Sequence, residues 1–388
     1  MTTFIDIHIV QNVAPSCLNR DDTGAPKDCW FGGARRARIS SQCLKRAARE
    51  YFSNADLLPP EELATRTRNL VALIAARLEK EGHRETQQAI IAALDAGLNK
   101  TGATKKAKAK AKGKTDDEEK GSYSKLFDRK KPQQLAALLF ASERTIAAVT
   151  KIIEESLDQL SNGSCPAEVA RQIFDAFDNP SNNSVDLALF GRMLATCEDL
   201  NVHAAAHFAN SIGTNRLDRE ADFFTAIDDF MLEDESGSAH LDSNEFNSSC
   251  HYRFASINLD LFTKNLDGDC EQALRGLAAF IRSIVMAIPK ARQSSFASYT
   301  LPATVLIGVH TSQPVQLTNA VEKPVWHGEH PDGLTAATVA RLQQHAQTMA
   351  SAYGLELNLR ALDTTGVWSG NTVPTLDDLI NSVIREVS

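Results

Sequence analysis

The chain has 388 residues, of which 43% are hydrophobic, and its 41 basic and 49 acidic side chains give a formal net charge of −8. A hydrophobic fraction of this size is ample for a buried core, and the length predicts about two to three domains or one core with large insertions. No apolar run approaches the roughly 18 residues of a membrane span, and the N-terminus lacks the basic-then-apolar pattern of a secretory signal, so we expect a cytoplasmic protein without a membrane partner.

The first predicted element is a half-buried strand, because Ile5, Ile7 and Ile9 alternate with Asp6 and His8. The seven cysteines of the chain are odd in number and scattered, and none forms a C-x-x-C pair. This usage predicts reduced, mostly structural thiols rather than a disulfide framework or a zinc site.

A basic segment, residues 15–52, follows this strand. It holds eight of the Lys and Arg residues against four acidic ones, a local net charge of +4 that leaves −12 for the remainder. A local basic field on an acidic protein indicates a polyanionic partner. Within it, the pair Gly32-Gly33 lets the backbone approach a ligand, and Arg35, Arg36 and Arg38 add groups suited to phosphate.

The basic segment ends in a predicted helix that starts at Ser40 or Ser41, where a serine N-cap follows Ile39. Helical spacing gives it an apolar side and, about 200° away, a polar and cationic side. The apolar side is Leu44, Ala47, Ala48 and Tyr51, and the cationic side is Gln42, Lys45, Arg46 and Arg49. Such a face alone is more often a solvated helix surface, but the preceding basic loop favours a polyanion-binding role.

Residues 57–178 have mainly helical periodicity. A low-complexity tract at 104–122, first rich in lysine and then mostly acidic, interrupts this region. Because it cannot bury apolar area, we predict a disordered surface insertion and rank a nucleic-acid-binding role for its lysines lower.

Strands are predicted to return near Val185, where SVDLALFGRM suggests a strand ending in a Gly-Arg turn, before a polar, irregular region that runs to Ser249. Beyond it we predict a strand from Tyr252 to Leu261 with a bulge near Ser256, a helix, and an apolar strand from Thr304 to Val309. The helix carries the stripe Leu274, Leu277, Ile281, Ile284 and Val285.

This β-α-β unit and the opening β-α together predict an α+β fold. Its sheet is expected to have the split ferredoxin-like topology of the RNA-recognition motif, interrupted by a large helical insertion. Two further helices are predicted at 333–352 and 375–386, the second opened by Pro374-Thr375.

Enzyme motifs are absent from the sequence: it has no glycine-rich phosphate loop, nucleophile elbow, H-E-x-x-H or kinase set. His203 and His207 have metal-compatible spacing but no third ligand, so ordinary helix histidines are favoured, and His327 with His330 in a loop is weaker still. We therefore predict no bound metal or cofactor.

Pairs of acidic residues suggest an alternative function, the metal-dependent cleavage of phosphodiester bonds. Clusters at 228–229 and 233–235 have carboxylates suited to Mg²⁺, but such runs are more often solvated. Asp21 and Asp22 lie inside the basic loop, where a nuclease would place metal ligands or a general base. We prefer loop capping and arginine pairing for them.

The order of motifs resembles the CasC family, backbone subunits of the type I-E CRISPR surveillance complex, Cascade, in the repeat-associated RNA-binding (RAMP) superfamily. The motifs that carry this resemblance are FIDIH, PSCLNRDD, Lys27-Asp28, FGG-x-RR-x-RISSQ-x-LKRA, VDLALFGRM, HFANS, DFFTAIDDF, GSAHLDSNEFNSSCHYRFASINL and PKARQSSF. The match covers the N-terminus and the middle of the chain, and it is loose in the helical insertion and between Leu301 and Val373.

The resemblance implies a hand-shaped α+β protein with an RRM-like palm, a helical fingers domain and an extended thumb. The palm would comprise residues 1–56, a strand in 181–192, and 250–388 with its C-terminal helices, the fingers 57–180, and the thumb 193–249. Copies would assemble along one CRISPR RNA, which pairs with target DNA, and each thumb would fold over the RNA of its neighbour. The other implied partners are Cascade subunits of the CasA, CasB, CasD and CasE types.

The resemblance also implies particular RNA contacts. Met193 matches a residue that wedges beside a displaced base, and Phe224 and Thr225 match the thumb tip. The remaining matching positions are Arg20, Lys27, Ser40, Gln42, Lys45, Arg46 and Arg49. Ala34 and Ala37 replace longer side chains in the first basic loop, which affects the expected phosphate contacts of Arg35, Arg36 and Arg38.

Three functions follow as hypotheses. The favoured one is a non-catalytic subunit that oligomerises on a CRISPR guide RNA and displays its bases to target DNA in antiviral defence. The second is a metal-dependent ribonuclease that cuts guide-paired RNA through Asp21 or Asp22. The third, an adaptor that binds only protein, leaves the basic helix face without a purpose.

Overall fold

The computed structural model of the protein describes residues 2–99, 126–160, 163–226 and 240–388. The chain divides into two compact units. We call them the sheet unit (Met1–Leu57, Ala206–Leu259 and Leu277–Ser388) and the helical unit (Leu58–Ala205 and Asp260–Gly276). The predicted Lys-rich insertion at 104–122 and the acidic clusters at 228–229 and 233–235 lie outside the described residues.

Strands form one large sheet in the sheet unit and one two-stranded antiparallel sheet in the helical unit, where β4 pairs with β5. They are β1 (Phe4–Ser16), β2 (Asp28–Phe31), β3 (Ala34–Ile39), β4 (Ala64–Thr67), β5 (Leu139–Ser142), β6 (Ala206–Phe208), β7 (Ser211–Gly213), β8 (Glu220–Ala226), β9 (His240–Asn258), β10 (Thr304–His310), β11 (Arg360–Asp363) and β12 (Asn371–Thr372).

Helices lie between these strands and supply most of the helical unit. They are α1 (Ser41–Asn54), α2 (Leu70–Lys80), α3 (Gln87–Leu98), α4 (Glu143–Glu155), α5 (Leu157–Leu160), α6 (Ala167–Asp178), α7 (Val185–Phe190), α8 (Leu259–Asn265), α9 (Cys270–Met286), α10 (Gln293–Phe296), α11 (Gly333–Tyr353) and α12 (Leu376–Val387). Among the described residues, no helix is both long and apolar enough to cross a membrane.

The large sheet has the strand order β12-β11-β10-β1-β9-β7-β3-β2, and β6 and β8 also pair with β9. Strand β1 is antiparallel to both β9 and β10. Strands β9 and β10 are therefore parallel and flank β1, and α9 lies in the connection between them. This is the predicted split β-α-β arrangement, and the expected α+β fold is confirmed.

Strand β1 is buried on both sides, not half-buried as the alternation predicted. Residues 5–11 are all buried, including Asp6 and His8. Asp6 Oδ2 accepts hydrogen bonds from the backbone N–H of Val315 at 2.7 Å and from His310 Nε2, 3.0 Å away. The polar side chains of β1 are thus internal hydrogen-bonding groups, and their alternation with isoleucine does not mark a solvent face.

The predicted palm strand in 181–192 is wrong, because residues Val185–Phe190 form helix α7 in the helical unit. All residues from Val185 to Leu189 are buried, including Asp186, and a short, fully buried run has no period that separates a strand from a helix. The helix ends at Gly191, with φ 77°, where an added Cβ would lie 2.7 Å from the carbonyl oxygen of Val202. Only glycine fits this turn.

The predicted bulge near Ser256 is also wrong. The pairing of β9 with β1 is regular from Asn258 to Ser249, and the register shifts only beyond it, between Val13 and Ser16. The apolar pattern changes phase at Ser256 because residues on both sides of β9 are buried there. The strand is also longer than predicted, since it begins at His240.

Other predictions are confirmed. Strand β10 is fully buried, and α11 and α12 lie within one residue of the predicted bounds. Four residues of the stripe predicted for α9 are buried, and Leu274 is half-buried. All seven cysteines lie in the described part of the chain and are free thiols. His203 and His207, however, are not in a helix, because His207 belongs to β6.

Because the sheet unit contains two buried histidines, we expect its free energy of unfolding to depend on pH. Burial lowers the pKa of His8 and of His251 from 6.5 to about 4, and His251 Nδ1 lies 3.0 Å from Ser211 Oγ. The unfolded chain therefore binds more protons between pH 6.5 and 4, so stability is fully present above pH 6.5 and is lost as pH falls towards 4.

We expect His251→Gln to reduce the slope of unfolding free energy against pH by about 1 kcal/mol per pH unit in this window. Urea denaturation at several pH values measures this slope. Equal slopes for the wild type and His251→Gln would contradict the buried, neutral state of this histidine.

Candidate nucleic-acid interface

Helix α1 begins as predicted, with Ser40 as its N-cap. The Ser40 hydroxyl accepts a hydrogen bond from the Cys43 N–H at 3.4 Å, and the Ser40 N–H donates to Asn19 Oδ1 at 2.8 Å. Leu44, Ala48 and Phe52 are the buried side chains of the helix. Ala47 and Tyr51 of the predicted stripe are only half-buried, so the core row runs at i, i+4, i+8.

The cationic side of α1 lies away from this core row. Gln42 and Arg46 are exposed, and Lys45 and Arg49 are half-buried. Lys45 Nζ lies 5.5 Å from the centroid of the Phe208 ring, and this partial burial lowers the pKa of the lysine. Arg46 Nε donates to Glu50 at 2.8 Å, and the same carboxylate lies 3.5 Å from Lys290 Nζ. The predicted cationic face therefore exists and is extended by Lys290.

The loop that precedes α1 is a β-hairpin of β2 and β3, in which residues alternate between two faces. Arg35 is on the open face, where it pairs with Asp28 at 3.0 Å. Arg219 Nη2 donates to the same carboxylate at 2.5 Å, and Arg219 Nη1 lies 3.2 Å from Glu245 Oε2. Asp28 thus joins this hairpin to the base of the β8–β9 hairpin.

Arg36 lies on the opposite face and corrects a prediction. Its side chain is 0% exposed, and its guanidinium donates to the carbonyl oxygens of Gly213, Thr214, Val321 and Glu322 at 2.6 to 3.0 Å. A buried cation with these carbonyl partners does not reach a phosphate. Strand alternation, which separates neighbouring side chains to opposite faces, turns Arg36 inward and Arg35 outward.

The other basic residues of the segment stay at or near the surface. Arg38 is half-buried, with Nε donating to the Asp28 carbonyl at 3.2 Å and Nη1 to Asn210 Oδ1 at 3.4 Å. Lys27 is half-buried and lines, with Arg38, a water-sized cavity of about 10 Å³. Arg20 is exposed beside it, in a β-bridge with Pro26.

Asp21 caps its own loop, one of the two structural roles that we preferred for the acidic pair from the sequence. Asp21 Oδ1 accepts hydrogen bonds from the Thr23 hydroxyl at 2.7 Å, the Thr23 N–H at 2.9 Å and the Ala25 N–H at 3.1 Å. The Thr23 hydroxyl in particular lowers the pKa of Asp21. Asp22 is exposed. Within the described ranges, no group of three His, Cys, Asp or Glu side chains is arranged to hold a metal ion.

Residues expected at the RNA wedge and thumb tip are found in different units. Met193, in the helical unit, is 83% exposed. On β8, Thr225 is exposed and Phe224 half-buried, whereas the neighbouring Phe223 is 67% exposed. Phe223 is therefore the more accessible aromatic of the pair, because successive strand residues face opposite sides.

Three residues that lie in or beside the basic segment in the structure were not predicted from the sequence: Trp30, Arg219 and Lys290. Arg219 and Lys290 are more than 150 positions from their partners Asp28 and Glu50, and no local pattern links them. Trp30 offered one signal, a large aromatic inside the basic loop. Its place opposite Arg35 follows only once residues 28–39 are recognised as a hairpin.

Removing the Asp28 carboxylate tests its bridging role. We expect Asp28→Asn to lower the free energy of unfolding by about 1 kcal/mol, because two guanidinium groups lose a partly buried ionic partner, and to do so less at high salt. Urea denaturation at low and high salt measures the effect. Asp22→Asn removes the same charge from an exposed position and should change stability little. Equal effects of the two variants would contradict the bridge.

Comparison with solved structures shows the same fold elsewhere. One structure, titled "CRISPR RNA-guided surveillance complex, pre-nicking", matches with a TM-score of 0.83 and 25% sequence identity, over 99% of this chain and 100% of that chain. A second, titled "CRISPR RNA-guided surveillance complex", matches over the same shares with a TM-score of 0.59 and 22% identity, a likeness of fold. No curated protein matches.

This protein is an α+β protein with a split ferredoxin-like sheet. It has the fold of these two solved chains. The family follows from the sequence itself. The model of the CT1975-like protein family matches residues 5–381, and the chain belongs to this family.

Proposed function

We propose that this chain is a backbone subunit of a type I-E CRISPR Cascade complex that binds CRISPR RNA. The observation that carries the proposal is the cationic side of α1 beside the β2–β3 hairpin, on a chain that matches a surveillance-complex chain over nearly its whole length. Copies of the chain would assemble along one guide RNA, together with subunits of the CasA, CasB, CasD and CasE types.

The chemistry of the surface suits a guide that must be held without sequence preference. Cations and hydrogen-bond donors bind phosphates of any sequence, and bases that remain uncontacted stay available for pairing with target DNA. Lys45, Arg46 and Arg49 supply the charge, with Gln42 beside them. Lys27 and Arg20 extend it, and Ser40 starts the helix from which these groups project. Arg36 takes no part in this surface.

The exposed Met193 supports the proposed wedge beside a displaced base, since apolar side chains unstack bases at a cost of a few kcal/mol that phosphate contacts offset. Phe224 and Thr225, with Phe223, would form part of the thumb that reaches a neighbouring copy's guide.

We propose further that the subunit is non-catalytic. The Asp21 carboxylate already accepts three hydrogen bonds that hold its own loop, and its lowered pKa makes it a weak general base. The ribonuclease alternative predicts that the assembled complex cuts labelled complementary RNA at regular intervals with Mg²⁺, and that Asp22→Ala abolishes the cuts. We expect no cutting in either protein.

Purification with its partner proteins tests the main proposal. We expect the wild-type chain to retain RNA of defined length whose ends, on sequencing, derive from a CRISPR repeat. The protein should also sediment as a multi-copy particle that RNase treatment alters. Co-purified RNA of random sequence and length, or none at all, would contradict the proposal.

A further inference from the structure

Trp30 is an exposed aromatic in the middle of the basic segment. It lies on β2, the edge strand of the large sheet, and 69% of its surface is exposed. Its partner across the hairpin is Arg35, whose guanidinium carbon lies 5.8 Å from the centroid of the indole ring. An indole with a guanidinium at one side and most of its surface in solvent presents a flat, electron-rich face to a ligand.

The hairpin that carries this pair is held in place from its other face. Arg36 binds four backbone carbonyls there. At the turn, an added Cβ on Gly32 would lie 1.8 Å from the Glu322 carbonyl oxygen, so the two backbones touch. Trp30 and Arg35 are therefore presented on a preformed surface, which lowers the entropic cost of binding.

The basic segment that carries Trp30 favours an anionic strand as its ligand. Arg20 is exposed, Lys27 and Arg38 are half-buried, and all three belong to the same segment. The Asp28 carboxylate, which contacts Arg35, is also paired with Arg219. A ligand that combines phosphates with flat aromatic rings suits this surface, and single-stranded RNA has both.

We propose that Trp30 and Arg35 form a stacking site for an unpaired base of the bound RNA. The site rests on the proposed function, because it needs an RNA strand on the basic segment, and it adds a base contact to the phosphate contacts. Every base has a π face, so the contact tolerates any sequence and remains compatible with a guide of arbitrary sequence.

The test compares single-stranded RNA with an abasic strand of equal length, using wild-type protein, Trp30→Leu and Trp30→Phe. Leucine keeps apolar bulk without an aromatic face. We expect Trp30→Leu to weaken binding of normal RNA about tenfold and binding of the abasic strand hardly at all. Trp30→Phe should retain most of the affinity, and RNA-induced quenching of tryptophan fluorescence should decrease in Trp30→Leu.

Tyr353 provides the matched control, since it is also 69% exposed but lies at the end of α11. Tyr353→Leu should bind both strands as the wild type does. Suppose that the wild type binds RNA and that Trp30→Leu has the same ratio of affinities for normal and abasic RNA as the wild type. This result would refute the stacking site but not the proposed function. Loss of self-association in RNA-free Trp30→Leu, with that ratio unchanged, would assign Trp30 to a contact between copies and also refute it. Failure of the wild type to bind RNA at all would refute the proposed function as well.

Discussion

Arg36→Met is expected to lower the free energy of unfolding by about 4 kcal/mol, because four backbone carbonyls that converge on one buried guanidinium lose their charged donor. Methionine fills much of the same space with apolar atoms, so the loss reports mainly on the hydrogen bonds. Urea denaturation of the RNA-free protein measures it. Arg35→Met, on the exposed face of the same hairpin, should cost less than about 1 kcal/mol.

The same pair of variants separates a structural arginine from an RNA-binding one. If Arg36 holds the hairpin and does not contact phosphate, folded Arg36→Met protein should keep the wild-type dependence of RNA affinity on salt concentration. Arg35→Met should reduce that dependence instead, since Arg35 faces solvent. Similar stability losses in both variants, or a reduced salt dependence in Arg36→Met, would contradict the structural role and indicate that Arg36 binds RNA.

Local features of the sequence predicted the start of α1 and the separation of its apolar and cationic sides correctly, although Phe52, and not Ala47 or Tyr51, completes the buried row. The capping serine, the apolar row and the cationic row of α1 are all encoded within about fifteen residues, so helical spacing alone places them. The loop before the helix was harder. The sequence predicts Arg35 and Arg36 alike as groups suited to phosphate, but strand pairing with β2 gives the two side chains opposite environments.

Burial of an element on both of its sides accounts for the errors in the fold. Alternating polar residues in β1 indicated a solvent face, yet Asp6 and His8 bind partners from distant segments, His310 and Tyr252. The five consecutive buried residues of α7, Val185 to Leu189, give no periodicity that distinguishes a helix from a strand. Contacts such as Arg219 with Asp28 depend on the tertiary fold, and no single segment of sequence encodes them.

Lys45→Ala combined with Arg49→Ala is expected to weaken RNA binding about a hundredfold at low salt, by removing two charge-assisted phosphate contacts. Counterion release gives the sharper expectation: the slope of log affinity against log salt concentration should fall by about 1.4, which corresponds to two contacts on a single strand. Two unrelated RNA sequences should lose affinity by the same factor, because phosphates carry no sequence information.

Lys151→Ala with Arg171→Ala is the control, since it removes equal charge from exposed positions on α4 and α6 of the helical unit. If the RNA were attracted only by the overall charge, both double variants would lower the salt slope equally. If phosphates bind at defined positions on α1, only Lys45→Ala with Arg49→Ala should lower it. Lys45 also packs near Phe208, so Lys45→Met, which keeps the apolar stem, separates lost charge from lost packing. An unchanged slope in Lys45→Ala with Arg49→Ala would show that the cationic side of α1 is a solvated surface, the commoner meaning of such a helix face.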